Sequence, residues 1–230
     1  LPKPLESTTE FDLITHYNNW VIAFFIENPG YTSIDPDYQS LEPRIFSSIA
    51  EDEGLWEIFR KGWDFYSTIA IKTEKLEGAS PDPKDSNYLK KVDPPRRNKA
   101  KSYALGIPYG MSPYALAMTL GIPTKEADVL VDGYLNGFPG LKKWREDSRQ
   151  FVKLNGFIKN KLGRIRHLPN VKEIYDGMGD TIMDWRVRKN LELEYSREAI
   201  ATLYRDYRNG LNQALNYQIQ SYAASIVNRS

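Results

Sequence analysis

Cysteine is absent from the chain, which excludes a disulfide framework, a thiolate metal site and a thiol nucleophile. Imidazoles are almost absent: His16 and His167 are the only two, and nothing in the sequence brings them together. Any metal would then be a hard cation held by oxygen ligands. No apolar run is long enough for a membrane span, and no segment reads as a signal peptide, so the expectation is a cytoplasmic protein with no membrane partner. A strong charge of one sign is also missing. Lys+Arg 31 against Asp+Glu 30 leaves +1, so affinity for a polyanion must come from local patches.

Such patches are there. Lys90 to Lys101 carries six cations against Asp93, and Lys142 to Arg166 carries nine against Glu146 and Asp147. Taken alone, each patch reads as a solvated face. The 230 residues, 41% hydrophobic and 27% charged, suffice for a buried core in one or two domains.

Periodicity predicts a mainly helical chain. Residues 9–25 have helical apolar spacing, and YTSIDPDY reads as a strand ending at Pro36-Asp37. LEPRIFSSIAEDEGLWEIFRKG gives two helical pieces, the second led by Glu51, Asp52 and Glu53, and DFYSTIAIK continues as helix. The Pro-, Asp- and Lys-rich segment at about 77–95 reads as an exposed loop. Further helices are expected in SPYALAMTLGI, in TKEADVLVDGYLNGF with Thr124 as N-cap, and in PGLKKWREDSRQFVKLNG with Gly156 as its stop. FIKNKLGRIRHLP reads as a hairpin turning at Leu162-Gly163. Residues 171–195 have no clear period, and the stretch from Ser196 onward is helical with an interruption at Gly210. The chain opens at Leu1 and closes on SYAASIVNRS, which reads as mid-helix, so the expectation is a piece of a larger or split protein.

The segment RNKAKSYALGIPYG places Arg97, Lys101, Leu105 and Tyr109 at four-residue intervals. On a helix these form one stripe roughly 18 Å long, cationic at one end and aromatic at the other. Guanidinium and ammonium on successive turns suit an anion with several oxygens, such as a triphosphate.

With its neighbours, that stripe resembles a known family. DYQSLEPR followed by FRKGWDFYSTIA is similar to the first palm motif, DYSQIELR, and adjoining fingers of family A DNA polymerases. RNKAKSYALGIPYG resembles that family's fingers helix, R-x-x-x-K-x-x-x-[F/Y]-G-x-x-Y-G. A helix after YGMS, a GIP linker, a Y-x-x-x-[F/Y]-P-G segment, GRIRHLP and NYQIQSYAAS follow in the family's order, so that five motifs cover residues 24–226. Pro43 in the first motif leans toward bacteriophage members.

The resemblance implies an α+β, predominantly helical fold: a fingers subdomain with part of the palm sheet. It divides the chain into partial palm at 1–50, fingers at 51–160, and a return to the palm at 161–230 with an insertion at about 171–208. It implies template-directed DNA synthesis from deoxynucleoside triphosphates on primer-template DNA, with two Mg²⁺ ions. Asp37 would be the catalytic carboxylate and a metal ligand, with the Tyr38 carbonyl as a second ligand. Gln39, Ser40, Glu42, Tyr66, Arg97, Lys101, Leu105 and Tyr109 would bind the nucleotide: Arg97 and Lys101 through its phosphates, Glu42 and Tyr109 by excluding a ribose 2′-hydroxyl. Gly110, Arg164, Asn216 and Gln220 would meet DNA, and Arg44 would support the first motif through an internal salt bridge.

Departures from the pattern are specific. Leu105 stands where the family has Phe or Tyr, Tyr66 where it has a phosphate-contacting His, Asn212 where a basic residue is expected, and Ser221-Tyr222 where it has Gly-Thr. The second catalytic carboxylate, in a His-Asp-Glu hairpin, does not occur before Ser230, nor do the upstream Gly-Arg-Arg and Asn-Leu-Gln elements occur. The expected function is therefore that of a polymerase part, inactive as the chain alone and completed by remaining palm and thumb, whether on a separate chain or not. The other reading is a degenerate module that binds DNA or nucleotide without catalysis.

Overall fold

The structure, a computed structural model, describes residues 38–229. The helix expected at 9–25 and the strand ending at Pro36-Asp37 lie outside them. Tyr38 and Gln39 belong to a first unit, 1–39, and everything else described belongs to a second, 40–230.

The second unit is helical, with one small sheet. Its helices are α1 (Leu41–Ala50), α2 (Glu53–Arg60), α3 (Phe65–Glu74), α4 (Leu89–Val92), α5 (Pro94–Gly106), α6 (Pro113–Leu120), α7 (Thr124–Gly137) and α8 (Pro139–Asn155). Strands β1 (Phe157–Lys159) and β2 (Ile165–His167) then lead to α9 (Pro169–Met178), a 3₁₀ turn at Thr181–Met183, α10 (Trp185–Leu191) and α11 (Arg197–Val227). Proline marks many of the starts: α5, α6, α8 and α9 each carry it in the first turn, where its missing N–H costs no helical bond. Asp52, Asp64, Asp93, Ser112 and Ser196 cap α2, α3, α5, α6 and α11 by accepting a backbone N–H.

Asp52 does more than cap. It is buried, and while one carboxylate oxygen accepts from Leu55 N at 3.1 Å, the other accepts from Gly140 N at 2.8 Å and Leu141 N at 3.2 Å. One side chain thus satisfies the N-termini of α2 and α8, with both positive dipole ends facing its charge. Gly140 is required for that approach, because a Cβ there would lie 2.9 Å from Ala50 O and from Asp52 Cα.

Two hydrophobic cores result. The first gathers α1 to α3 and α5 to α8 around Phe46, Leu55, Ile69, Tyr103, Tyr134 and Phe138, and is closed by Leu215, Ile219 and Ala223 of α11. The second packs Val152, Ile158, Val171 and Ile182 against Ile200, Tyr207, Leu211 and Ala214 of the same long helix. The hairpin is antiparallel, with Phe157 opposite His167 and Lys159 opposite Ile165. Asn160 shapes its turn: its side-chain oxygen accepts from Leu162 N and Arg164 N, and its amide donates to Ser221 Oγ on α11 at 2.9 Å. On α1, the Arg44 guanidinium lies 4.6 Å from the centre of the Phe59 ring.

Several sequence expectations need correction. Helix α5 stops at Gly106, so Tyr109 lies in the following turn, not on the helical stripe. Pro108 has no N–H with which to extend the helix. The cap of α7 is Pro123, and Thr124 is already helical. The segment at 77–95 is not wholly exposed: it contains α4, pairs Ser80 with Tyr88 in an isolated bridge, and buries Tyr88 and Leu89. Gly210 does not interrupt α11. It is there for space, since a Cβ on it would sit 2.2 Å from Val171 Cγ2 on α9.

Replacing Asp52 with Ala should cost about 2–3 kcal/mol, from one lost cap and two orphaned N–H groups. For a chain of this size that is a drop in Tm of about 5–10 °C by circular dichroism. Asp52→Asn, which keeps an acceptor oxygen, should lose less.

Candidate functional site

A cleft of about 560 Å³ opens between the start of α1, helices α3 and α5, and the C-terminal half of α11. Ser40, Glu42, Tyr66, Leu105 and Gln220, all singled out from the sequence, line it together with Pro43 and Ala223. Pro43 fits the first turn of α1, and its carbonyl accepts from Ser47 Oγ at 2.5 Å. Ser40 is held left-handed at φ 55°, and its side chain makes no capping bond.

Glu42 ties three distant segments together at the cleft wall. It accepts from the Tyr109 hydroxyl, in the turn after α5, and from Gln220 Nε2 on α11 at 2.5 Å. Gln220 Nε2 also lies 3.4 Å from the Tyr109 oxygen. Burial pushes the Tyr109 phenol above its usual value, and the Glu42 carboxylate pushes it further, so the hydroxyl stays protonated as the donor. Tyr109 thus reaches the wall although it has left the helix.

The cationic end of α5 is arranged differently from a simple outward-facing stripe. Arg97 is only 9% exposed and forms a two-pronged pair with Asp64, Nε to Oδ2 and Nη2 to Oδ1, both at 2.8 Å. Its guanidinium lies 5.3 Å from the centre of the Tyr66 ring. Asp64 also accepts from Ser67 N and Ser67 Oγ, so the residue capping α3 is the one that anchors α5. Burial works to raise the Asp64 carboxyl, but the Arg97 guanidinium and the Ser67 bonds outweigh it and hold the group below the usual range. Sequence reasoning did not single out Asp64. Its Asp-x-x-Ser spacing marks a cap, but nothing local marks a partner 33 residues away. Lys101, one turn beyond Arg97, is exposed, with no ion pair among the described residues.

The residues expected to meet DNA fall into separate places. Asn216 and Gln220 are both exposed, one turn apart on α11, and Arg164 is exposed in the hairpin turn. Gly110 is buried at φ 93°, where a Cβ would lie 2.1 Å from Asn212 Oδ1. It lines a second cavity instead of the cleft. Asp37 lies outside the described residues, and Tyr38 and Gln39 are exposed within the first unit. Among the described residues, no group of three or more His, Asp or Glu side chains could hold a metal ion, so the expected Mg²⁺ pair finds no donor cluster there. None of the described helices is long and apolar enough to cross a membrane.

Comparison with known proteins agrees with these motifs. The family model described as DNA polymerase family A matches residues 14–230. DNA polymerase I of Bacillus caldotenax is 36% identical over 149 residues, 65% of this chain and 16% of that protein. The thermostable DNA polymerase I of Thermus filiformis is 30% identical over 147 residues, 64% of this chain and 16% of its own length. A solved structure described as the POL domain of Pol1 from M. smegmatis in complex with DNA primer-template and dNTP superposes with a TM-score of 0.60 at 27% identity, covering 83% of this chain and 27% of that one. The chain belongs to DNA polymerase family A, and it spans about one sixth of the length of these curated relatives.

The Asp64 carboxyl, depressed in the folded state, adds stability that is present above its unfolded value, about 3.9, and disappears as pH falls through the lower folded value. Urea midpoints for the wild type should therefore hold down to about pH 4 and fall below it. Asp64→Asn should start lower at neutral pH and show a shallower acid limb.

Proposed function

We propose that the chain supplies the nucleotide-binding part of a template-directed DNA polymerase, with residues 51–160 as fingers and 1–50 and 161–230 as adjoining palm, the segment at about 171–208 being an insertion. The observation that carries this reading is the Glu42–Tyr109–Gln220 junction, which joins three of the family-like motifs in the wall of one cleft. The primer-template and dNTP bound to the M. smegmatis domain support the same choice of partners.

In this reading the triphosphate lies along α5. Lys101 meets it without giving up a partner. Arg97 meets it by exchanging one oxyanion, the Asp64 carboxylate, for another of similar spacing. The wall of Glu42 and Tyr109 excludes a 2′-hydroxyl, and Leu105 packs on the sugar and base by apolar contact alone. Asp37 and the Tyr38 carbonyl would help hold the expected pair of Mg²⁺ ions, which when bound would supply activation of the primer 3′-hydroxyl and neutralisation of the leaving pyrophosphate. A second carboxylate would come from further polypeptide.

A second reading, binding without catalysis, is favoured by one observation: the guanidinium expected at the phosphates is already engaged by Asp64 through two of its N–H groups. Primer extension by the chain mixed with a polypeptide carrying a His-Asp-Glu hairpin separates the two. The polymerase reading expects extension that Asp37→Ala abolishes, and a Lys101→Ala variant with KM for dNTP raised about tenfold or more and duplex affinity little changed. A folded mixture that binds primer-template yet never extends it overturns that reading in favour of the second.

A further inference from the structure

A second cavity, of about 340 Å³, is walled by the turn between α5 and α6, by α7, by α8 and by α11. Its charge is one-sided. Lys142, Arg145, Arg149 and Arg208 line it, against one acid, Glu146, which is exposed. Lys142, Arg145 and Arg149 are spaced i, i+3, i+7 on α8 and so share a face. Arg145 points inward and is 6% exposed, Arg149 is half-buried, and Lys142 is exposed at the rim.

Among the described residues none of these four cations forms an ion pair. Arg145 has no ion pair and no side-chain hydrogen bond among the described residues, and the Nε atoms of both Arg145 and Arg149 are buried without an acceptor. Arg149 Nη2 donates to Asn212 Oδ1 at 3.1 Å and Arg208 Nη2 to Ser112 Oγ at 3.2 Å, but both acceptors are neutral. Burial, reinforced by the neighbouring Arg149 charge, lowers the Arg145 guanidinium to about 10, which still leaves it charged at neutral pH. A buried Arg145 beside a half-buried Arg149, with no ion pair to either among the described residues, is unfavourable, and apolar residues of similar volume would cost less. Paired arginines facing a cavity are matched instead by an oxyanion that accepts several N–H bonds at once.

We propose that this cavity is a binding site for a phosphate group, held by Arg145 and Arg149, with Lys142 and Arg208 at its rim. The cavity is at the lower end of the roughly 300–1,000 Å³ range of ligand sites, which fits a phosphate with little attached to it. Two sources share that chemistry: free phosphate or pyrophosphate, and one phosphodiester of a nucleic-acid strand.

The test is a thermal titration of the whole chain with sodium phosphate, with pyrophosphate and with a short single-stranded oligonucleotide, each against sodium chloride of equal ionic strength. At least one phosphate probe should raise Tm saturably, by about 5–10 °C at one hundred times its Kd, while chloride does not. Arg145→Leu should raise the ligand-free Tm and abolish the increment. Lys142→Gln, at an exposed position where folding is not at risk, should weaken binding several-fold. A response to phosphate or pyrophosphate identifies a free anion as the ligand, and a response to the oligonucleotide alone identifies a strand phosphate. Equal stabilisation by chloride, no saturable response to any probe, or an increment that survives in both variants overturns the proposal. None of these readouts uses catalysis, so the outcome is independent of the polymerase reading.

Discussion

A single buried carboxylate, Asp52, sets the angle from which most of the second unit is built. By accepting backbone N–H groups from the first turns of both α2 and α8, it fixes two helices held together across 88 residues of chain. Neither helix end has another way to satisfy those donors once it is buried. From α8 follow the hairpin, the second core and the cavity-lining arginines. From α2 follow Asp64 and α3. The fold thus reaches its functional surfaces by way of helix N-termini held by acids, a device repeated when Asp64 caps α3 and grips Arg97.

That repetition explains the character of the cleft. Helix α5 is fastened at its start by Arg97 to Asp64, and the turn beyond its end is fastened by Tyr109 to Glu42. Between the two ties lie Lys101 and Leu105, the exposed cation and the apolar surface of the stripe. The arrangement is pre-formed, and pre-formed sites lose less entropy when a ligand arrives. In the proposed reading its cost would fall on Arg97, which would have to surrender Asp64 to gain a phosphate.

Much of this is legible in the sequence because the signals are local. Prolines in first turns, caps such as Asp52 and Ser196, and Gly156 as a left-handed stop place the helices to within a few residues, and the hairpin shows itself at its Leu162-Gly163 turn. The cleft residues are legible only through motif resemblance, since no periodicity links Glu42 with Gln220. What escapes is long-range or depends on packing. Gly210 reads locally as a helix breaker, but its neighbour Val171 on α9 shows that it fills a narrow gap inside a continuous helix. Arg145 and Arg149 read as part of a solvated basic patch, because burial of a charged face cannot be told from composition. Tyr109 falls in register with a stripe that Pro108 has already ended.

Helix α11 is about 46 Å of unbroken rod at 1.5 Å per residue, and its two halves serve different cores. Ile200, Tyr207 and Leu211 belong to the side that carries α9, while Ile219, Gln220 and Ala223 belong to the side that carries the cleft. A stiff rod transmits displacement with little loss along its axis. The residues of α11 in the second core therefore sit on the same rod as the amide that touches Glu42, so a shift of the helix at one end would be carried to the cleft at the other.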